Sequence, residues 1–177
     1  MRKLTIKELN RPSLEEFKNA EKVGIAVVMD NIRSLNNIGS VFRTSDAFMV
    51  DKVLLCGIST PPPNPEIHKT ALGAEDSVKW EYFKSTVEAI ASLAEEGWTI
   101  VGIEQVENST MLGEFIPEKG KKYALVFGNE VKGVMQEAID KCDLCIEIPQ
   151  HGTKHSLNIS VSAGIVIWHF YSRMIGY

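Results

Sequence analysis

The sequence has no apolar run long enough to cross a membrane. Its most apolar stretch, residues 160–171, is broken by Ser162 and His169 and falls short of the roughly 20 residues a spanning helix needs. It reads as a buried helix instead. Cysteine is scarce. There are three, an odd number with no signal peptide, which points to a reducing cytoplasm and not to a disulfide framework. Positive charge is not in excess either: 19 Lys and Arg against 23 Asp and Glu give a net charge of −4, so no overall field announces nucleic acid. Basic residues gather only locally, as Arg2, Lys3, Lys7 and Arg11 near the start and as Lys119, Lys121 and Lys122 in one loop. Solvated surface charge accounts for both groups, with an RNA-facing patch as the alternative. The chain also lacks internal repeats and low-complexity segments. It has no G-x-G-x-x-G or Walker pattern and no G-x-S-x-G elbow. These absences remove the nicotinamide-dehydrogenase, P-loop and α/β-hydrolase readings.

What is present is enough for one globular domain: 177 residues, of which 44% are hydrophobic and 24% charged, can bury a real core. Six runs read as strands: 23–29, 52–58, 78–83, 98–103, 123–128 and 144–149. Most are nearly continuous apolar and β-branched, the pattern of strands covered on both faces of a parallel sheet. Helical patterns lie between them. Over 36–49, Ile38, Val41, Phe42, Ser45 and Phe48 share a stripe; over 85–97, Val87, Ile90, Ala91 and Ala94 do so, with Gly97 placed as a C′ residue. A short helix is expected after Val131 and a long one from near Ser156. Strands alternating with helices predict a three-layer α/β domain with a mostly parallel sheet. Residues 1–22 read as a helical N-terminal extension and 23–177 as the domain proper.

Three segments place polar residues at the end of a strand or the start of a helix, where open parallel sheets bind ligands. The first is NNIGSVFR (36–43). An asparagine here is a good helix cap, but Arg43, expected within the first two turns, sits where the macrodipole disfavours a cation. The second is LVFGNEVKGV (125–134), a strand ending in Gly-Asn-Glu, in which Gly128 allows a tight turn or a close backbone approach to a ligand. The third runs from Ile148 and Pro149 through a loop to Ser156, Leu157 and Asn158. Ser156 is a good N-cap, which would leave Asn158 inside the first turn, where its side chain competes with helical hydrogen bonds. Cys142, Cys145, His151 and His155 imitate a zinc site, yet the spacer between the pairs is far shorter than a two-Cys, two-His finger uses, and the strand alternation points Cys145 toward the core. No metal is expected. His151 and His155 read as surface histidines.

Taken together and in this order, Asn37-Ile38-Gly39-Ser40-Val41-Phe42-Arg43, Gly128-Asn129-Glu130, and Ile148-Pro149 with Ser156-Leu157-Asn158 resemble the SpoU (TrmH-type) RNA ribose methyltransferases of the SPOUT superfamily, over roughly residues 23 to 175. The resemblance implies an α/β fold ending in a deep trefoil knot, which fold-level rules would reject because knots are nearly absent. It implies S-adenosylmethionine (AdoMet) as cofactor and transfer of its methyl group to a ribose 2′-oxygen. Gly128, Ile148 and Leu157 take the cofactor-contacting positions, with the strand end at Ile103 and Glu104 contributing. Arg43, Asn37, Glu130, Ser156 and Asn158 take the catalytic ones. An RNA substrate is implied, and tRNA is favoured over rRNA because few residues precede the first strand. A non-catalytic knotted RNA-binding module is the alternative from another class. A homodimer is expected, because the final helix is apolar on nearly every face and needs a second cover, with Ile167 on its outer face.

Overall fold

The apolar runs become a seven-stranded sheet in the order β3-β2-β1-β6-β4-β7-β5. In chain order the strands are β1 (Ile25–Asp30), β2 (Lys52–Cys56), β3 (Lys79–Phe83), β4 (Thr99–Ile103), β5 (Thr110–Met111), β6 (Tyr123–Phe127) and β7 (Leu144–Glu147). This computed structural model describes every residue except Ile6 and Tyr177. All neighbouring pairs are parallel; Val28 of β1, for example, lies opposite Leu54 of β2 and Val126 of β6. Every residue of β1 and β6 is buried, as central strands covered on both faces must be.

The helices are α1 (Leu14–Asn19), α2 (Leu35–Ala47), α3 (Pro65–Ala71), α4 (Ala74–Ser77), α5 (Thr86–Glu95), α6 (Gln136–Ile139) and α7 (Ile159–Ile175). Strand alternation splits the core by sheet face. Val27, Met29, Val53, Leu55, Leu125 and Phe127 join residues of α2 and α7 in one cluster. Ala26, Val28, Leu54, Ala124 and Val126 join α5 and α6 in the other. The extension supplies one anchor to this frame: Phe17 of α1, whose helix is closed by a reciprocal Ser13–Glu16 capping box, is buried in the first cluster.

Several expectations need correction. Residues 79–82 of β3 are exposed, because β3 is an edge strand. The buried stripe of α5 is Thr86, Ala89, Ile90 and Leu93; Val87, Ala91 and Ala94 are rotated away because the Thr86 hydroxyl turns inward to donate to Asp30 at 2.5 Å. The short helix expected after Val131 is present as α6, Gln136–Ile139, and begins after an intervening turn. Two short helices, α3 and α4, and the two-residue β5 carry too little periodicity to announce themselves. Cys145 is half-buried, not in the core.

The two helices that frame the site also differ in detail. Ser34, not an asparagine, caps α2, its hydroxyl accepting from Asn37 N–H at 3.3 Å. Arg43 is the ninth residue of α2 and lies in its third turn, so the dipole argument against it does not apply. Gly39 is explained by packing. A Cβ there would stand 2.1 Å from Thr70 Oγ1 and 2.3 Å from Ile67 O, so its absence lets α2 and α3 touch backbone to backbone. Asn158, not Ser156, is the N-cap of α7: its Oδ1 accepts from Ser160 N–H at 2.9 Å. On α7, Ile159, Ala163, Val166, Ile167 and Phe170 are buried. Ile167 therefore faces the core, and the outer face is Val161, Ile165 and Trp168, which are 49%, 39% and 48% exposed.

Candidate active site

A cavity of about 510 Å³ opens beyond the C-terminal ends of β4, β6 and β7, within the roughly 300–1,000 Å³ usual for small-molecule sites. Strand ends fix its floor, through Ile103, Phe127 and Ile146. Two loops close over it: the turn after β6, from Gly128, and the loop after β7 that carries Ile148, Ser156 and Leu157. The three positions expected to contact a cofactor, Gly128, Ile148 and Leu157, all line this one space. Gly128 has a further reason to be glycine. A Cβ there would meet Val134 N at 2.0 Å and the Gly133 carbonyl carbon at 2.1 Å, so the close approach is the turn folding back on itself.

The polar motif residues meet at the cavity rim. Glu130 accepts from the backbone N–H groups of Arg33 and Ser34, each at 3.1 Å, and from Asn37 Nδ2 at 3.0 Å. Partial burial of its carboxyl acts to raise the pKa, but the Arg33 amide and the other donors outweigh it and hold the group below its ordinary range. Asn37 Oδ1 in turn accepts from Asn158 Nδ2 at 3.2 Å. The result is a chain Glu130–Asn37–Asn158–Ser160 that stitches all three segments together and orients both amides. Glu130, anchored at the start of α2 and held ionised, is suited to positioning and poorly suited to taking a proton. The Ser156 hydroxyl faces the same space, is exposed, and makes no hydrogen bond among the described residues.

Arg43 stands apart. It lies in a separate shallow groove between α2 and α3, with Ser40, Thr44, Phe48, Lys69 and Thr70. Six residues separate it from Asn37, about 9 Å along the helix and about 120° around it. It is exposed, and no side chain or carbonyl pairs with its guanidinium among the described residues. Next to this groove Phe48 packs against Trp168 and Tyr171, with ring centres 5.5 and 5.2 Å apart, so the groove runs into the outer face of α7.

Sequence reading left four contributors without a role or with too little of one. Glu104 and Gln105, just past β4, bind Val134 N–H and the His155 carbonyl. Asn129 organises the turn after β6 by accepting from Val131 N–H and Lys132 N–H. Asp30 ends β1 fully buried. The signal available was a carboxylate directly at the end of an apolar strand. As for metal chemistry, no group of three or more His, Cys, Asp or Glu able to hold an ion exists among the described residues. The Cys142 thiol is pushed up to about 12 by burial and by neighbouring Cys145, which leaves it unreactive. His151 and His155 are exposed. No helix among the described residues is long and apolar enough to cross a membrane.

A parallel α/β sheet with its cavity beyond the strand C-termini, beside the point where strand order reverses, defines a ligand-binding α/β domain. Residues 24–168 match the model of the SpoU rRNA Methylase family, and the chain belongs to that family. It is 30% identical over 159 residues to a Neisseria meningitidis 23S rRNA (guanosine-2′-O-)-methyltransferase, covering 89% of this chain and 62% of that protein. The chain thus spans about three fifths of the length of this curated relative. Among solved structures, the A. aeolicus TrmH/SpoU tRNA modifying enzyme superposes with a TM-score of 0.77 at 26% identity, covering 91% of this chain and 85% of that one. The SpoU methyltransferase AviRb of Streptomyces viridochromogenes, crystallised with AdoMet, superposes with a TM-score of 0.79 at 21% identity, covering 90% and 64%. That structure holds the cofactor the sequence led us to expect.

Proposed function

We propose that the protein is an AdoMet-dependent RNA methyltransferase acting on a ribose 2′-hydroxyl, with tRNA as its substrate, and that it works in the cytoplasm as a two-fold homodimer. One observation carries the reading. Asn37, Glu130 and Asn158, separated by 93 and 121 positions in the chain, join in one hydrogen-bonded line at the rim of the cavity. Three polar groups from three distant segments converge at one opening whose lining mixes polar and apolar residues, which supports a shared task. The cavity residues fit the cofactor: Ile148 and Leu157 offer apolar walls, and the turn from Gly128 presents backbone groups. In this reading residues 23–177 form the catalytic domain, with 1–22 as its extension. The trefoil knot that the family resemblance implies belongs to this reading too.

Bound AdoMet supplies a methyl group made electrophilic by its sulfonium. The residues of the chain must do the rest. A ribose hydroxyl is a weak nucleophile at neutral pH, so the site has to stabilise developing negative charge on oxygen and hold the reacting atoms in line. Arg43 is permanently charged and cannot act as a base; its guanidinium bridges an RNA phosphate and the developing alkoxide. Asn37 and Asn158, fixed by their mutual bond, orient the ribose with Ser156, while Glu130 fixes Asn37. Arg43 shares no wall with the cavity of its own chain, and its groove adjoins the exposed face of α7. A dimer formed through that face brings the arginine of one protomer to the cavity of the other.

The A. aeolicus relative favours tRNA; the N. meningitidis relative favours ribosomal RNA, which is the second reading. Incubation with methyl-labelled AdoMet and either bulk tRNA or bulk rRNA, followed by nucleoside mass spectrometry, separates them. Label in a 2′-O-methylnucleoside from tRNA is the expected result. Absence of transfer to either RNA, with AdoMet bound, would replace the enzyme with a binding module.

A further inference from the structure

Two carboxylates outside the three motifs stand at the ends of the strands that flank β6. Asp30 ends β1 and Glu104 follows β4 directly, and β1 and β4 are the two neighbours of β6. Glu104 accepts from Val134 N–H through Oε2 and from Gln105 N–H through Oε1, both at 2.9 Å. Asp30, fully buried, accepts from Met135 N–H through Oδ2 at 2.7 Å. Its Oδ1 accepts from the Thr86 hydroxyl at 2.5 Å and from Asn31 Nδ2 at 2.8 Å. Two consecutive amides, Val134 and Met135, are therefore gripped from opposite sides of the strand that precedes them.

The segment so gripped is the far end of the turn from Gly128 to Gly133, one wall of the cavity. The middle of the turn is tied to the start of α2 through Glu130, which accepts from Arg33 N–H, Ser34 N–H and Asn37 Nδ2, but its far end is held to the sheet by the two acids. Asn129 and Gly133 pair through their backbones, and the Asn129 side chain serves Val131 and Lys132 inside the turn and Asn31 O at its entrance. Val131 at the tip is exposed. Taking a carboxylate out of water is costly unless each oxygen is satisfied, and neither acid forms a salt bridge among the described residues. Their placement is explained by the amides they hold.

We infer that Glu104 and Asp30 are positioning residues that clamp the 128–135 turn in the shape the AdoMet cavity needs. The inference rests on the AdoMet reading given above. It requires carboxylates, because both oxygens of each acid accept. An isosteric amide would point an NH₂ at a backbone N–H or another donor, leaving two donors face to face.

The test is Glu104→Gln in the full chain, read in two ways. Amide hydrogen exchange without ligand should speed up at least tenfold at Val134 and leave the β6 amides 123–127 unchanged. Calorimetry should show AdoMet binding weakened at least tenfold, with affinity for bulk tRNA within twofold of wild type. Asp30→Asn should act in the same direction at Met135. A folded Glu104→Gln variant with wild-type exchange at Val134 and wild-type AdoMet affinity would overturn the clamp, and so would acceleration spread equally over β6. If wild-type protein bound no AdoMet, the functional reading would fall, and the exchange pattern would still decide whether the acids hold the turn.

Discussion

Two positions on α2, Asn37 in its first turn and Arg43 in its third, make opposite use of polar side chains. At its start, Asn37 is bonded on both sides, to Glu130 and to Asn158, and the backbone amides of Arg33 and Ser34 just ahead of the helix also end on Glu130. Less than two turns later Arg43 is exposed, and its guanidinium has no hydrogen-bond or ion-pair partner among the described residues. Both belong to one short motif, yet the first residue is committed within the fold and the last is left available. One short motif thus mixes groups tied into the fold with a group left exposed. Satisfied hydrogen bonds resist rearrangement because each is worth about 0.5–1.5 kcal/mol net and several must break together. An unpaired guanidinium in solvent costs almost nothing to redirect.

The sharpest way to break this contrast is at Arg43. Arg43→Ala should lower methyl transfer by on the order of a hundredfold or more and leave AdoMet affinity within a few-fold of wild type, measured by single-turnover assays and calorimetry. Wild-type turnover on the true RNA would remove its assigned role. The trans arrangement has its own measurement. Arg43→Ala mixed with Leu157→Asp, each inactive alone, should regain activity in mixed dimers, whereas two sites complete within single chains would stay dead.

Next in size is the dimer. Ile165→Asp, on the exposed face of α7, should convert the protein to monomer in sedimentation at micromolar concentration and remove most activity. A wild-type monomer that still methylates RNA would overturn the assembly. Ile167 is no use for this test, because it is buried and an aspartate there would attack the core.

Gly39→Ala probes the frame alone. With Thr70 and Ile67 already in the space its Cβ would take, it should cost about 1–3 kcal/mol of stability in urea unfolding. The smallest effect concerns Glu130. Its folded-state pKa is lowered, so its contribution to stability is present above the ordinary carboxylate range, around pH 4.3, and is lost as pH falls through the folded value. Glu130→Gln should flatten the acid side of the stability profile relative to wild type, and the two profiles should run parallel above pH 6.

The three-layer α/β class, six of the strands and the two main helices were legible in the sequence, because burial on both faces writes an unbroken apolar run and burial on one writes a helical stripe. So were the three polar segments, which stand out against those runs. Residue roles within them were not legible. Ser156 and Asn158 are equally good caps on paper, and which one begins α7 depends on where the helix docks. Asn37 meets Asn158 only because β1, β6 and β7 bring residues 121 positions apart to one edge of the sheet. Gly128 and Gly39 are glycines because other backbone occupies the space a side chain would fill, a fact no local spacing records. Glu104 reads in the sequence only as a strand end contributing to the cofactor site, and the turn folded against it shows that its carboxylate holds Val134. Local pattern determines where the main strands and helices lie and which segments set polar groups beside them. The long-range hydrogen bonds that assign each polar group its task exist only once the sheet has set the loops side by side.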